Sequence, residues 1–240
     1  MGRSQHFPHR AEHLSDASPG LGYASDRKLL GDMWTMELGD GGALLRRIDG
    51  IESHARRWAS SGSCSQGLLV ACGWNETGPL NDCLLLDRRK NGGWVHFDSA
   101  TCKPSPRRWA ASHVIGDCLV VSGGYNDSGK APNLDDSYAF DVRAGNWRPL
   151  AWTMSPRCRH TLDDSWLIGG YGAVKGVIER SILRLDPTHP LDNPLEPVAN
   201  VPFEAHRAGH AVVDDLIVAG FQGPNNQLTA STAQLFIGAD

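Results

Sequence analysis

Pro106-Arg107-Arg108-Trp109-Ala110-Ala111 opens the stretch Pro104 to Leu150, whose reading decides the fold. The stretch passes through an apolar run, Cys118-Leu119-Val120-Val121-Ser122, to a glycine pair and an aromatic, Gly123-Gly124-Tyr125. A polar loop, Asn126 to Asn133, leads to Asp136-Ser137-Tyr138-Ala139-Phe140-Asp141, and the stretch closes at Asn146-Trp147-Arg148-Pro149. These apolar segments are too short for an ordinary helix. They are rich in β-branched and aromatic residues and bounded by Gly, Asn and Asp, so they read as four short β-strands separated by turns.

The pattern recurs. Arginines equivalent to Arg107 stand at Arg10, Arg56, Arg157 and Arg207, at successive steps of 46, 51, 50 and 50 residues. A glycine followed by an aromatic recurs as Gly22-Tyr23, Gly73-Trp74, Gly124-Tyr125, Gly170-Tyr171 and Gly220-Phe221, at steps of 51, 51, 46 and 50. Two independent markers in phase over five periods, with about four strands per period, indicate propeller blades.

The chain resembles the kelch-repeat β-propellers, the family that includes the galactose-oxidase central domain. The family pattern runs Pro-Arg-x-Gly-His-Ser/Ala, a strand, Gly-Gly, a loop, a strand beginning near Asp, and a Trp in the last strand. Pro156-Arg157, His160-Thr161 and Gly169-Gly170 fit it, as do Arg207, Gly209-His210-Ala211 and Gly220, with Ala219 in place of the first glycine. The second and third units depart from it, with Trp58 and Trp109 at the glycine and Ala59 and Ala110 at the histidine. The closing tryptophan is present as Trp94 and Trp147, and Leu195 takes its place in the fourth unit. The resemblance implies one all-β domain over residues 1–240, a kelch-type propeller of about five blades of four antiparallel strands. The units fall at about 7–54, 55–100, 104–154, 155–199 and 201–240.

The first unit is the weakest: 12 residues separate Arg10 from Gly22, against 13 or 17 elsewhere, and Pro19 lies where a central strand needs a donor. Its third strand, around Asp32 to Met36, is well formed, and in the fifth unit a third strand is expected around Gln234 to Ile237. The fifth unit lacks a fourth strand, and an unpaired edge invites aggregation. Met1–Phe7, just upstream of Arg10, is expected to supply that strand and close the ring, the alternative being an open or incomplete propeller.

Composition narrows the classes. A net charge of −4 gives no global basic field for nucleic acid or an anionic membrane. No run of 18 apolar residues is present, and the start, Met1 to His6, has no apolar signal region. The six cysteines, Cys64, Cys72, Cys83, Cys102, Cys118 and Cys158, share no repeat position and form no CxxC pair, so they read as reduced thiols, mostly in the core. The expected location is cytoplasmic or nuclear. The sequons Asn75-Glu76-Thr77 and Asn126-Asp127-Ser128 then read as chance features of polar loops.

The repeated arginines and histidines (His13, His160 and His210) are expected to hydrogen-bond between neighbouring blades. Trp94 and Trp147 are expected to pack between blades. The informative positions are departures from the repeat in loops that, in the family this chain resembles, gather at one mouth of the central channel. One set, two residues after each repeat arginine, comprises Glu12, Trp58, Trp109, Arg159 and Gly209; the other comprises Tyr23, Trp74, Tyr125, Tyr171 and Phe221. With Arg108 and Arg57 they would form a ring of aromatics and arginines, the residue types enriched in binding hot spots. The expected function is a protein-interaction module that takes a partner's acidic or apolar loop into this mouth. The alternatives are a kelch-type enzyme on a small sugar, mutarotase-like, with Glu12, Glu76 or His113 as its acid or base, and a carbohydrate-binding lectin. No GxSxG, HExxH or phosphate loop is present, no metal or cofactor is expected, and no catalytic residue is assigned.

Overall fold

The computed structural model describes residues 29, 33–39, 42–48, 54–87, 89, 93–98, 102–127, 132–174, 177–200, 211–213, 216–218, 221–222, 227–228 and 232–234. Among these residues the regular structure is all strand, as expected, and no helix is long and apolar enough to cross a membrane. Units two, three and four each form a four-stranded antiparallel sheet in chain order. In unit three the strands are Ala111–Ile115, Cys118–Ser122, Ser137–Asp141 and Asn146–Pro149. Unit two repeats them as Ser60–Cys64, Gly67–Ala71, Cys83–Asp87 and Gly93–Phe97, and unit four as Thr161–Leu162, Trp166–Ile168, Ser181–Arg184 and Glu196–Asn200. Unit one contributes the hairpin Met33–Gly39 and Gly42–Ile48, so its expected third strand is present and paired. Unit five contributes Ala211–Val213, Leu216–Val218 and Thr232–Gln234; of its expected third strand, residues 235–237 lie outside the described residues. The proposed closing segment Met1–Phe7 lies outside the described residues.

The unbroken apolar character of the second strands follows from burial on both faces. Leu119 and Val121 point into a core shared with Leu69, Ala71, Cys83 and Leu85 of unit two, while Val120 points into a core shared with Leu167 and Leu183 of unit four. Trp147 lies in the first of these cores, edge-on to Phe140 at 5.2 Å, and Leu195 lies in the second, so both occupy the inter-sheet space expected of them. Trp94 packs on Leu68, Val70, Leu84 and Leu86, on the opposite face of unit two from the core shared with unit three. All six cysteines are free, and four of them (Cys64, Cys72, Cys83 and Cys158) are buried. Burial pushes the Cys72 thiol up to about 12, which leaves it unreactive at neutral pH.

The first strands of adjacent units run side by side. Ser112 Oγ accepts from the Ser61 amide at 3.0 Å and donates to the Ser61 carbonyl at 3.1 Å. A Cβ on Gly62 would stand 2.5 Å from Val114 Cγ2, so the close approach of these strands requires glycine there.

The repeat arginines are the buried wiring of the sheets, and here the structure corrects the expectation of side-chain bonds between blades. Arg107 is fully buried; its Nη1 donates to the Gly123 carbonyl at 3.0 Å, and Nη1 and Nη2 grip Asp136 at 2.6 and 3.0 Å. Arg56 repeats this with the Cys72 carbonyl and Asp82, at 3.1, 2.7 and 2.8 Å. Each arginine therefore clamps the second and third strands of its own unit. The link between units is made by its backbone. The Arg107 amide donates to Leu80 of the preceding unit and its carbonyl accepts from Gly73; Arg157 does the same with Leu134 and Gly124.

Unit four departs from this scheme. Arg180 occupies the place of Asp82 and Asp136, immediately before the third strand. Arg157 bonds Ser181 Oγ at 2.8 Å instead, with Glu179 at 3.8 Å. Its guanidinium is held below the usual arginine value by burial, which the Glu179 charge only partly opposes.

Candidate functional site

The glycine position of the repeat explains how the mouth is built. Trp58, Trp109 and Arg159, each two residues after a repeat arginine, have φ of 56, 57 and 54°. This is the left-handed region that glycine enters freely and that costs other L-residues about 1–2 kcal/mol. The positions are held by a backbone relay, in which the Arg159 amide donates to the Trp109 carbonyl at 2.8 Å and the Trp109 amide to the Trp58 carbonyl at 3.4 Å. Antiparallel bridges pair Arg57 with Trp74 and Arg108 with Tyr125, and the strand pair of unit four joins Cys158 to Tyr171. The two sets of loops are therefore joined by main-chain bonds. Gly73, Gly124 and Gly170 allow this approach: at φ of 94, 110 and 100°, a Cβ on any of them would stand 2.8 to 3.0 Å from a carbonyl of the facing loop.

On this frame the rings and guanidinium groups alternate. Trp58 meets Trp109 at 4.8 Å and 53°, and Trp109 meets Tyr125 edge-on at 5.6 Å. Arg57 lies 4.1 Å over Trp58, and Arg159 lies 4.1 Å over Trp109 and 5.9 Å from Tyr171. Arg108 sits among four rings: Trp109 at 4.3 Å, Trp74 at 4.4 Å, and Trp58 and Tyr125 both at 5.1 Å. All of these side chains are half-buried. Burial, reinforced by the Arg108 charge, lowers the Arg57 guanidinium, and burial raises the Tyr171 phenol against the pull of Arg159.

The structure thus brings together Trp58, Trp74, Trp109, Tyr125, Tyr171, Arg108 and Arg159, with Arg57 beside them. Phe221 begins the short strand Phe221–Gln222, paired with Gln227–Leu228 as Trp74–Asn75 is paired with Gly78–Pro79. Tyr23 and Glu12 lie outside the described residues. Of the other candidate acids and bases, Glu76 is exposed on its turn, and His113, on the first strand of unit three, has Nε2 2.9 Å from Asp164 of unit four. Sequence reasoning missed Asp127, whose Oδ1 accepts from Arg108 Nη2 at 2.7 Å. Its only sequence signal is membership of the polar loop after Tyr125. Among the described residues no group of three His, Cys, Asp or Glu side chains is placed to hold a metal ion.

Comparison with protein families matches the Kelch motif to residues 106–151, which are the opening loop and all four strands of unit three. Unit three therefore carries a Kelch motif. The chain is also similar to adagio-like protein 2 of Oryza sativa subsp. japonica, 32% identical over 140 residues. That match covers 55% of this chain and 22% of the rice protein, so the matched part spans less than a quarter of that relative's length. In the matched unit Trp109 stands where the family pattern has glycine, and Trp58 and Arg159 hold the same place in units two and four.

Proposed function

We propose that the chain is a protein-interaction module whose mouth receives a partner loop carrying acidic and apolar side chains. The observation that carries this reading is the set of non-glycine residues at the left-handed position. Trp58, Trp109 and Arg159 are held there against a backbone preference, at the same place in three successive units, with their side chains massed on one surface. Such strain concentrates at ligand-binding sites, where the surrounding structure over-determines it. Tryptophan and arginine are the residues that dominate binding energy when a partner covers them. Arg57, Arg108 and Arg159 give the mouth a positive character that suits a carboxylate, and the tryptophan edges suit an apolar neighbour.

The geometry favours this over sugar stacking. A lectin platform needs an open aromatic face, whereas Trp58 and Trp109 lean on each other and carry guanidinium groups over their faces at 4.1 to 5.1 Å. The test is a capture experiment with wild type beside a Trp58→Ala/Trp109→Ala/Arg159→Ala variant, after both have been shown to melt cooperatively. Proteins retained by wild type and lost by the variant are the expected result. Identical retention, together with binding of simple sugars by wild type only, would replace this reading with the carbohydrate one.

A further inference from the structure

The inference concerns what holds Arg108 when no partner is bound, and it rests on the mouth being a site for acidic loops. Arg108 is enclosed by four rings, its side chain is 14% exposed, and Nε has no hydrogen-bond partner. A guanidinium can offer a carboxylate two parallel donors. The contact with Asp127 is a single one, Nη2 to Oδ1. The carboxylate comes from an exposed residue on the loop after Tyr125, in a backbone conformation with φ of 55°. The Asp127 side chain itself is 33% exposed. The best-enclosed arginine of the mouth is therefore already engaged, by one oxygen, with a carboxylate delivered on a loop, which is the chemistry proposed for the partner.

We infer that Asp127 is an internal competitor: a partner's acidic side chain binds by taking the place of Asp127 on Arg108. Discrimination follows from this arrangement. A neutral loop cannot compensate Arg108 for losing Asp127, so it is rejected, while a glutamate or aspartate replaces the contact at Nη2 with one of the same kind. Ligands lacking a carboxylate meet a mouth whose charge is already balanced at its centre.

The test uses a hexaglutamate peptide as probe and hexaglutamine as control, followed by intrinsic fluorescence, since Trp58, Trp74 and Trp109 all lie around Arg108. The variant is Asp127→Asn, which removes the charge and keeps a residue that tolerates the left-handed conformation. Its melt is recorded alongside. The expected result is hexaglutamate binding about two- to fivefold tighter than wild type, the scale of a partly exposed ion pair. That gain should vanish when Arg108→Gln is also present. Binding by wild type with no gain in Asp127→Asn would overturn the competitor role and leave the mouth reading intact. Failure of both proteins to bind hexaglutamate at millimolar peptide would overturn the acidic-loop reading and the competitor with it. Binding by Asp127→Asn alone would mean that the competitor closes the wild-type site to this probe, in agreement with the inference.

Discussion

Arg107 and Arg108 are adjacent in sequence and opposite in environment. Arg107 is sealed inside unit three, with Asp136 and the Gly123 carbonyl fixed to its guanidinium. The Arg108 guanidinium lies over four aromatic rings and makes a single ion pair, to a loop carboxylate. The same contrast separates Arg56 from Arg57 one unit earlier. In this chain, what repeats holds the sheets together and what varies faces outward, and the boundary between the two runs between consecutive residues.

The contrast breaks most visibly if the inner arginine is removed. Arg107→Met leaves the Gly123 carbonyl and Asp136 without their donors and is expected to lower stability by about 3 kcal/mol. Arg108→Met, losing a half-exposed ion pair and its ring contacts, is expected to cost about 1 kcal/mol or less. Urea titration of the two proteins checks this, and equal losses would erase the distinction. A smaller effect probes the strained position. Arg159→Gly relieves the left-handed backbone and Arg159→Ala does not, so the glycine variant should be the more stable by about 1 kcal/mol, with both losing partner binding. The smallest effect sharpens the comparison between units. Arg180→Asp restores, next to Arg157, the carboxylate that units two and three possess, and should raise the urea midpoint by an amount corresponding to about 0.5–1 kcal/mol. An unchanged midpoint would mean that Ser181 and Glu179 already suffice.

Much of this was legible in the residues. The run from Cys118 to Ser122 was readable as a strand, and it is apolar throughout because both of its faces are covered. Trp58 and Trp109 stood out because they replaced a glycine, and the left-handed backbone is the physical reason glycine is usual there. Partnerships were not legible. Arg107 and Asp136 are 29 residues apart, and nothing in either residue shows that the arginine's side chain clamps its own unit while its backbone binds the preceding one. Asp127 was hidden for a related reason: a loop carboxylate acquires its role from the arginine it happens to reach. In unit four Asp163 Oδ1 accepts from the Ser165 and Trp166 amides and tightens the turn there, while the presence of Arg180 where units two and three have aspartate became meaningful only once Ser181 and Glu179 were seen on Arg157.

The double backbone attachment of Arg107 and Arg157 to the preceding unit also determines where this chain can change length. Between Arg107 and Ala111 an inserted residue would unseat the bonds to Leu80 and Gly73 and the relay to Trp58 together. The connections between third and fourth strands carry no such constraint, and they differ accordingly: residues 142–145 suffice in unit three, whereas residues 185–195 serve in unit four. The longer one is self-supporting, with Asp186 accepting from Thr188, His189 and Asn193 and the Pro190 carbonyl accepting from Trp152. Its exposed residues 187–189 are the place where a tag or an extra segment can be spliced in without touching the bonds that hold Trp58, Trp109 and Arg159.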